Sequence, residues 1–249
     1  MDLTELLAKE NGIQIDTNGF NQEMEAQKKR AREAHKSVDV LVNDSKETGQ
    51  GTEFIGYDQT NLRDCEVSLL DTITQEGETY LIFDKTPFYA EMGGQRGDEG
   101  TVFINDHILI ITDVIKDSNG HFLHKIKKTE YADPFSGKAI VSVNQSVRQD
   151  IQRHHTATHI LHWALREVLG EHVKQAGSLV EQDRLRFDFS HFEALKDDQL
   201  LEIEAIANKK LLLNEKVESY EVPFCEKPDE VVAFFGEKYG DIVLSLIHI

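Results

Sequence analysis

In RHHTATHILHWAL, Arg153 to Leu165, His155 and His159 stand four residues apart and His162 follows three later. On a helix, a turn of about 100° per residue brings these three and Arg166 within about 60° of one another, with Ala157, Leu161, Ala164, Leu165 and Val168 on the opposite side. Two imidazoles at i and i+4 can reach one tetrahedral cation, and zinc is the usual occupant of such a pair. The bland alternative is a polar helix face that happens to carry histidine. A zinc site needs further ligands, and the only thiol in this half, Cys225, sits in no paired-ligand spacing. The residues alone therefore offer half a site. Metalloprotease chemistry is disfavoured, because Thr156 stands where H-E-x-x-H requires its general-base glutamate. His162 is expected to support the pair from outside or to face solvent.

The element that must carry these side chains is one long helix. Ser146 and Gln149 form an S-x-x-Q capping-box pattern, the helical period runs to Leu169, and Gly170 supplies a stop. Next come GSLV and RLRFDFS, where Leu185, Phe187 and Phe189 alternate with charged neighbours as in a half-buried strand. A helical period spans Asp197 to Asn214, ESYEVPF reads as a strand, and EVVAFFGEKYG as a short helix leading into a strand at DIVLS. Upstream, TEFIGYD, CEVSLLDTIT, ETYLIFD, GTVFIND, HILIITDVIK, HFLHKIK and GKAIVSV are short β-rich runs separated by turn residues, which suggests a barrel or sandwich. DSNGH, around Asn119-Gly120, is a hairpin signal. Asn21 to Lys36 is rich in helix formers, with turns expected at Gly12 and Asn18-Gly19.

The expected fold class is α+β. It comprises a short helical segment over residues 1–45, a β-barrel over 46–145, and over 146–249 an α+β body containing the long histidine-bearing helix.

Of the 249 residues 39% are apolar, enough for a buried core. The net charge of −18, from 45 acidic against 27 basic residues, argues against sequence-blind adhesion to nucleic acid. Two local basic tracks remain as candidates, QKKRAREAHK (27–36) and HFLHKIKK (121–128), each with a solvated face as its alternative. No apolar run approaches the roughly 20 residues needed to cross a bilayer, and the polar start MDLTELLAKENG lacks the parts of a signal peptide. The expectation is a cytoplasmic protein that engages neither membrane nor DNA. Its two cysteines, Cys65 and Cys225, read as core thiols in a reducing compartment.

Read together, HTATHILHWALREVLGEHVKQAGSLVEQDRLRFDFSHFEAL closely resembles the editing domain of the alanyl-tRNA synthetases. TPFYAEMGGQRGDEG is similar to the glycine-rich segment of that domain, and FGEKYGD to the lead-in to its last metal motif. ENGIQIDTNGFNQEMEAQKKRAREA is similar to the end of the family's tRNA-recognition region, so the resemblance covers nearly the whole chain in the right order. It implies that His155 and His159 are zinc ligands, joined in the family by a later C-x-x-x-H. Here EKYGDIV runs into LSLIHI instead, which departs from the pattern and reads as a truncation. The remaining cysteine and histidine ligands are therefore expected beyond residue 249.

The implied activity is hydrolysis of serine or glycine mischarged onto tRNA(Ala), with tRNA(Ala) and its acceptor end as the partner. Thr158, Gln175 and Ser178 match the family's polar pocket positions, although a helical threonine back-bonding to its own turn is the ordinary reading of the first. No residue stands out as the one that activates water. ATP- and Mg²⁺-dependent alanylation would belong to a catalytic domain before residue 1, and the chain by itself is expected to be weakly active or inactive. The loop around Gly93, Gly94 and Gly97 lacks the G-K-[ST] of a P-loop, so its glycines more plausibly serve a tight bend, and the embedded Arg96-Gly97-Asp98 is not persuasive as an adhesion signal. The alternatives are a freestanding editing hydrolase, the related domain of threonyl-tRNA synthetase, or a non-catalytic tRNA-binding module. The synthetase-like residues 11–36 weigh against the first two.

Overall fold

The structure, a computed structural model, describes residues 12, 16, 18–20, 22–26, 51–117, 119–127, 135–215, 217–223 and 242–248, the last two stretches as backbone. The chain divides into two compact units, Met1–Thr48 with Asp117–Asn119, and Gly49–Lys116 with Gly120–Ile249. In the first, residues 18–20 and 22–26 are helical. Asn18-Gly19, expected as a turn, instead opens this helix, because the Asp16 carboxylate accepts the Gly19 N–H at 2.8 Å and satisfies a first-turn donor. Gly12 does lie in a turn, at φ +69°. The basic track 27–36 lies outside the described residues.

The second unit begins with a short strand, β1 (Glu53–Phe54), followed by β2 (Cys65–Gln75), β3 (Glu78–Phe83), β4 (Lys85–Thr86), β5 (Gly100–Ile104), β6 (His107–Lys116), β7 (Phe122–Ile126) and β8 (Lys138–Val143). Six of these close a barrel in the order β2-β3-β7-β6-β5-β8, antiparallel at every pairing. TEFIGYD contributes only β1, which pairs in parallel with β4 outside the barrel. Closure requires each strand to alternate inside and outside. In β6 that rule divides an almost continuous apolar run: Leu109, Ile111 and Val114 are buried, while Ile108 and Ile110 face outward. With Val67, Leu81, Phe83, Val102, Ile104, Ile126 and Val141 they form the barrel core, and Leu62 and Phe88 pack into the same cluster. Cys65 is partly buried against it, and burial raises its thiol pKa.

Two barrel hairpins turn through two residues at positive φ, Glu76-Gly77 at +53° and +81° and Asn105-Asp106 at +48° and +62°. The turn at Asn119-Gly120 joins β6 to β7 as expected, but as a longer loop in which, among the described residues, only Gly120 has a positive φ. His121 and His124 of the second basic track are buried, whereas Lys125 is half-buried and Lys127 exposed. His124 is wholly enclosed, its Nδ1 3.0 Å from the Leu81 carbonyl and its Nε2 2.7 Å from the Thr86 hydroxyl, and burial drives its pKa down to about 4.

Beyond the barrel, helix α1 (Gln145–Leu169) leads to the hairpin β9 (Gln175–Val180) and β10 (Leu185–Phe189), helix α2 (Asp197–Leu212), and a second antiparallel pair, β11 (Val217–Pro223) and β12 (Ile242–His248). Helix α1 ends where its glycine predicts: Gly170, at φ +110°, donates its N–H to the Arg166 carbonyl. Its start differs from the capping-box expectation. Asn144 is the N-cap and accepts from Val147 N–H, so Ser146 already lies inside the helix. Ala164 and Leu165 of α1 pack with Val173 and with Ile203 of α2, and Phe187 and Phe189 of β10 border that cluster. The segment EVVAFFGEKYG and Cys225 lie outside the described residues.

Candidate functional site

Three elements converge near the start of α1. Arg148, on the helix's first turns, is 7% exposed and forms an ion pair with Asp98, itself 1% exposed. Its Nε donates to Asp98 Oδ1 at 2.9 Å, while its terminal nitrogens donate to the same carboxylate and to the carbonyls of Gly56, at 3.1 Å, and Pro87, at 2.8 Å. Tyr89 N–H adds a further bond to Asp98 at 2.6 Å. A buried charge pair persists only when its remaining donors and acceptors are satisfied, and here they are. The pair ties α1 to the loops leading into and out of the glycine-rich segment. Asp98 is thus a buried structural anchor, which excludes its use within an exposed Arg-Gly-Asp signal.

The glycine-rich segment makes a tight turn in which Met92 and Gln95 exchange both backbone hydrogen bonds, at 3.1 and 3.0 Å. Gly93 and Gly94, at φ +62° and +83°, are the two central residues. A Cβ on Gly94 would collide with the Ser178 carbonyl of β9, so the position demands glycine for both its φ and its neighbour. The turn lies along β9, where Val180 N–H donates to the Gly94 carbonyl at 2.8 Å and Arg96 N–H to the Val180 carbonyl at 3.1 Å. A Cβ on Gly97 would meet the Val114 carbonyl of β6, which seats the other end of the loop on the barrel.

His155 and His159 lie one turn apart on α1 with ring centroids 5.1 Å apart and an interplanar angle of 36°. His155 is half-buried, and burial lowers its pKa, favouring the neutral imidazole that can ligate a metal. Its Nδ1 lies 2.7 Å from Oε1 of Gln95 in the glycine-rich turn. On β9, Gln175 Nε2 donates to the Ser178 hydroxyl at 3.1 Å, and that hydroxyl donates to the Gly93 carbonyl at 3.4 Å. The two histidines, the turn and the two β9 residues are therefore linked by adjoining contacts. Thr158 is buried on α1 and donates its hydroxyl to the His154 carbonyl at 2.9 Å, the back-bonded arrangement considered from sequence. Its oxygen keeps acceptor capacity.

His162 departs from the expectation of a solvent-facing residue. It is 7% exposed, with its ring 5.1 Å from that of Phe187. The histidine stripe is not a solvent face along its whole length, because β10 packs beside the helix and places Phe187 against His162. Sequence reasoning also passed over Gln95, Arg148 and Asp98. A charged residue between Val147 and Ile151 on a helix, together with an acid in a glycine-rich loop, was the available signal, but only the fold brings the two together.

Two imidazoles able to face one ion fit half of a tetrahedral nitrogen-and-sulfur site, and among the described residues no third histidine, cysteine or carboxylate joins them. No helix among the described residues is long and apolar enough to cross a membrane.

Residues 1–150, well over half of the chain, match the family described as tRNA synthetases class II (A), and the chain belongs to that family. Over 98% of its length it is 45% identical to an alanine–tRNA ligase of Opitutus terrae, of which it covers 26%. It is 40% identical over 98% of its length to the alanine–tRNA ligase of Carboxydothermus hydrogenoformans, covering 29% of that protein. The corresponding ligase of Methylacidiphilum infernorum is 41% identical over 98% of the chain and 25% covered. The chain thus matches one segment, about a quarter of the length, of these relatives.

Proposed function

We propose that this segment is the proofreading module of an alanine–tRNA ligase, hydrolysing serine or glycine wrongly esterified to tRNA(Ala). The observation that carries the reading is the facing pair His155–His159 beside Gln175 and Ser178, in a chain that aligns with alanine–tRNA ligases throughout. A pocket built for alanine rejects neither the smaller glycine nor serine, with its one added hydroxyl, by the factor that translation needs, so a second, hydrolytic sieve is the chemical remedy. In the reaction, water adds to the ester carbonyl, the bond from that carbon to the ribose oxygen breaks, and a proton passes to the ribose oxygen. The free amino acid and tRNA(Ala) are released.

His155 and His159 would hold a zinc ion, with the cysteine and histidine of the C-x-x-x-H that the resemblance implies as further ligands. When bound, the ion would supply a Lewis acid at the ester or at water. Ser178 and Gln175 would meet the serine hydroxyl, with Thr158 bordering them. The ATP- and Mg²⁺-dependent alanylation would reside in other parts of the longer ligase, and the module would act in the cytoplasm on the tRNA acceptor end. The alternative is a non-catalytic tRNA binder in which the basic helix and the barrel form the contact surface.

The test is deacylation of Ser-tRNA(Ala), with Ala-tRNA(Ala) as control, by the 249-residue chain and by a form extended through the C-x-x-x-H that the family resemblance implies. The extended form is expected to bind one zinc and to hydrolyse the serine ester faster than the alanine ester, with the shorter form weak in both respects. Equal rates on both esters in the extended form would defeat the reading.

A further inference from the structure

The 2.7 Å contact between Gln95 Oε1 and His155 Nδ1 joins a side chain from the glycine-rich turn to the candidate cation site on α1. A carboxamide oxygen only accepts, so in this arrangement Nδ1 carries the hydrogen and Nε2 carries the lone pair. That is the tautomer in which His155 can ligate through Nε2. With the carboxamide reversed, its NH₂ would donate to Nδ1, and Nε2 would carry a hydrogen and could not bind a cation. The identity of the atom facing the imidazole therefore decides whether His155 can serve.

We propose that Gln95 is a positioning residue that fixes the tautomer and ring orientation of His155, presenting its Nε2 lone pair beside His159. The proposal rests on the reading of His155 and His159 as cation ligands. Its geometry is built into the fold. Gln95 is 8% exposed, so water competes little for its amide. Its backbone is held on one side by both hydrogen bonds to Met92 and on the other by a bridge to Val180 of β9. The turn that delivers it is set by Gly93 and Gly94, and Gly94 is pressed against Ser178. His155 in turn sits on a helix anchored by Arg148 to the far end of the same loop. Both partners come from fixed backbone, the condition under which a supporting hydrogen bond orients a ligand instead of merely following it.

Gln95→Ala and Gln95→Glu variants of the 249-residue chain, compared with the parent, test this. Long-range ¹⁵N–¹H correlation spectra of the metal-free proteins above pH 7 report which ring nitrogen of His155 carries the hydrogen. The parent is expected to show the Nδ1–H form, Gln95→Ala a mixture of both forms, and Gln95→Glu, which keeps an acceptor at the same place, a return to Nδ1–H. Zn²⁺ titration followed on the His155 and His159 resonances should show at least tenfold weaker binding in Gln95→Ala, with recovery in Gln95→Glu. Thermal unfolding confirms that each variant is folded, and Gln95→Glu keeps the test open if the alanine form is not.

A His155 tautomer unchanged in Gln95→Ala, or an Nε2–H form in the parent, overturns the proposal. If the form extended through the family's C-x-x-x-H binds no Zn²⁺ while the tautomer follows residue 95 as expected, Gln95 keeps its positioning role and the metal reading of the site falls on its own.

Discussion

At the scale of single residues, the histidines show how one side chain type takes on different work according to its surroundings. His155 is half-buried against an amide, His162 is packed against Phe187, and His124 is sealed in the barrel. Truncating His162 removes a ring that burial has already desolvated and that hydrogen bonds to the Val173 backbone. His162→Ala is therefore expected to cost about 2 kcal/mol or more, within reach of the roughly 2–5 kcal/mol for Leu165→Ala. A urea-denaturation loss below about 0.5 kcal/mol for His162→Ala would show that the ring is not part of the packing. The helical wheel could not reveal this, because it ranks faces of an isolated helix and contains no neighbour.

His124 yields a pH prediction. Its folded pKa, about 4, lies below the ordinary 6.5, so the unfolded chain binds the proton more readily. Its contribution is fully present above pH 6.5 and is lost as pH falls towards 4, at up to about 1.4 kcal/mol per unit. His155 and His162, also lowered by burial, act in the same direction. Urea midpoints measured at pH 7, 6 and 5 should fall steadily, and a folded His124→Asn variant should fall less steeply. Parallel slopes would remove His124 as a cause.

At the scale of elements, some signals were local enough to read and others were not. Gly170 stopped α1 because a left-handed C-terminal position needs nothing beyond its own turn. The N-cap was displaced from Ser146 to Asn144, since two nearby polar residues compete for that place and the hydrogen bonds choose between them. The Arg148–Asp98 pair lies further from local reach, because its two residues meet only when the barrel and α1 are both in place. Removing one member of such a pair leaves a buried charge uncompensated. Arg148→Met is accordingly expected to destabilise by about 3–5 kcal/mol, and adding Asp98→Leu to recover part of that loss. Additive losses in denaturation of the two single variants and the double variant would show that the groups are not coupled. Gly94→Ala tests the turn, through backbone strain of order 1–3 kcal/mol together with the collision at Ser178.

At the scale of the whole molecule, the barrel was legible because short β-rich runs separated by turn residues follow one another, and six of the seven runs became its strands. Which runs pair was not legible, since pairing is settled by closure and packing rather than by any one segment. Nor does the sequence reveal what joins the barrel to the body that follows it within the Gly49–Ile249 unit. The structure shows two ties: the Arg148–Asp98 anchor and the glycine-rich turn hydrogen bonded to β9. Both run through the segment that also carries the candidate site, so its geometry and the cohesion of the unit depend on the same contacts.

The chain has a single tryptophan, Trp163 on α1, with the Lys210 ammonium of α2 5.9 Å from its ring centroid, which makes it a reporter of the α+β body alone. Far-ultraviolet circular dichroism reports barrel and body together. In the parent, urea unfolding followed by the two signals is expected to coincide, because the two ties make the unit cooperative. In Arg148→Met one tie is lost while neither half's own core is touched, and the tryptophan transition should move to lower urea and separate from the dichroism curve. Two curves that shift together would show that the remaining glycine-rich turn suffices to hold the halves as one, and that Arg148 stabilises the unit without being what unites it.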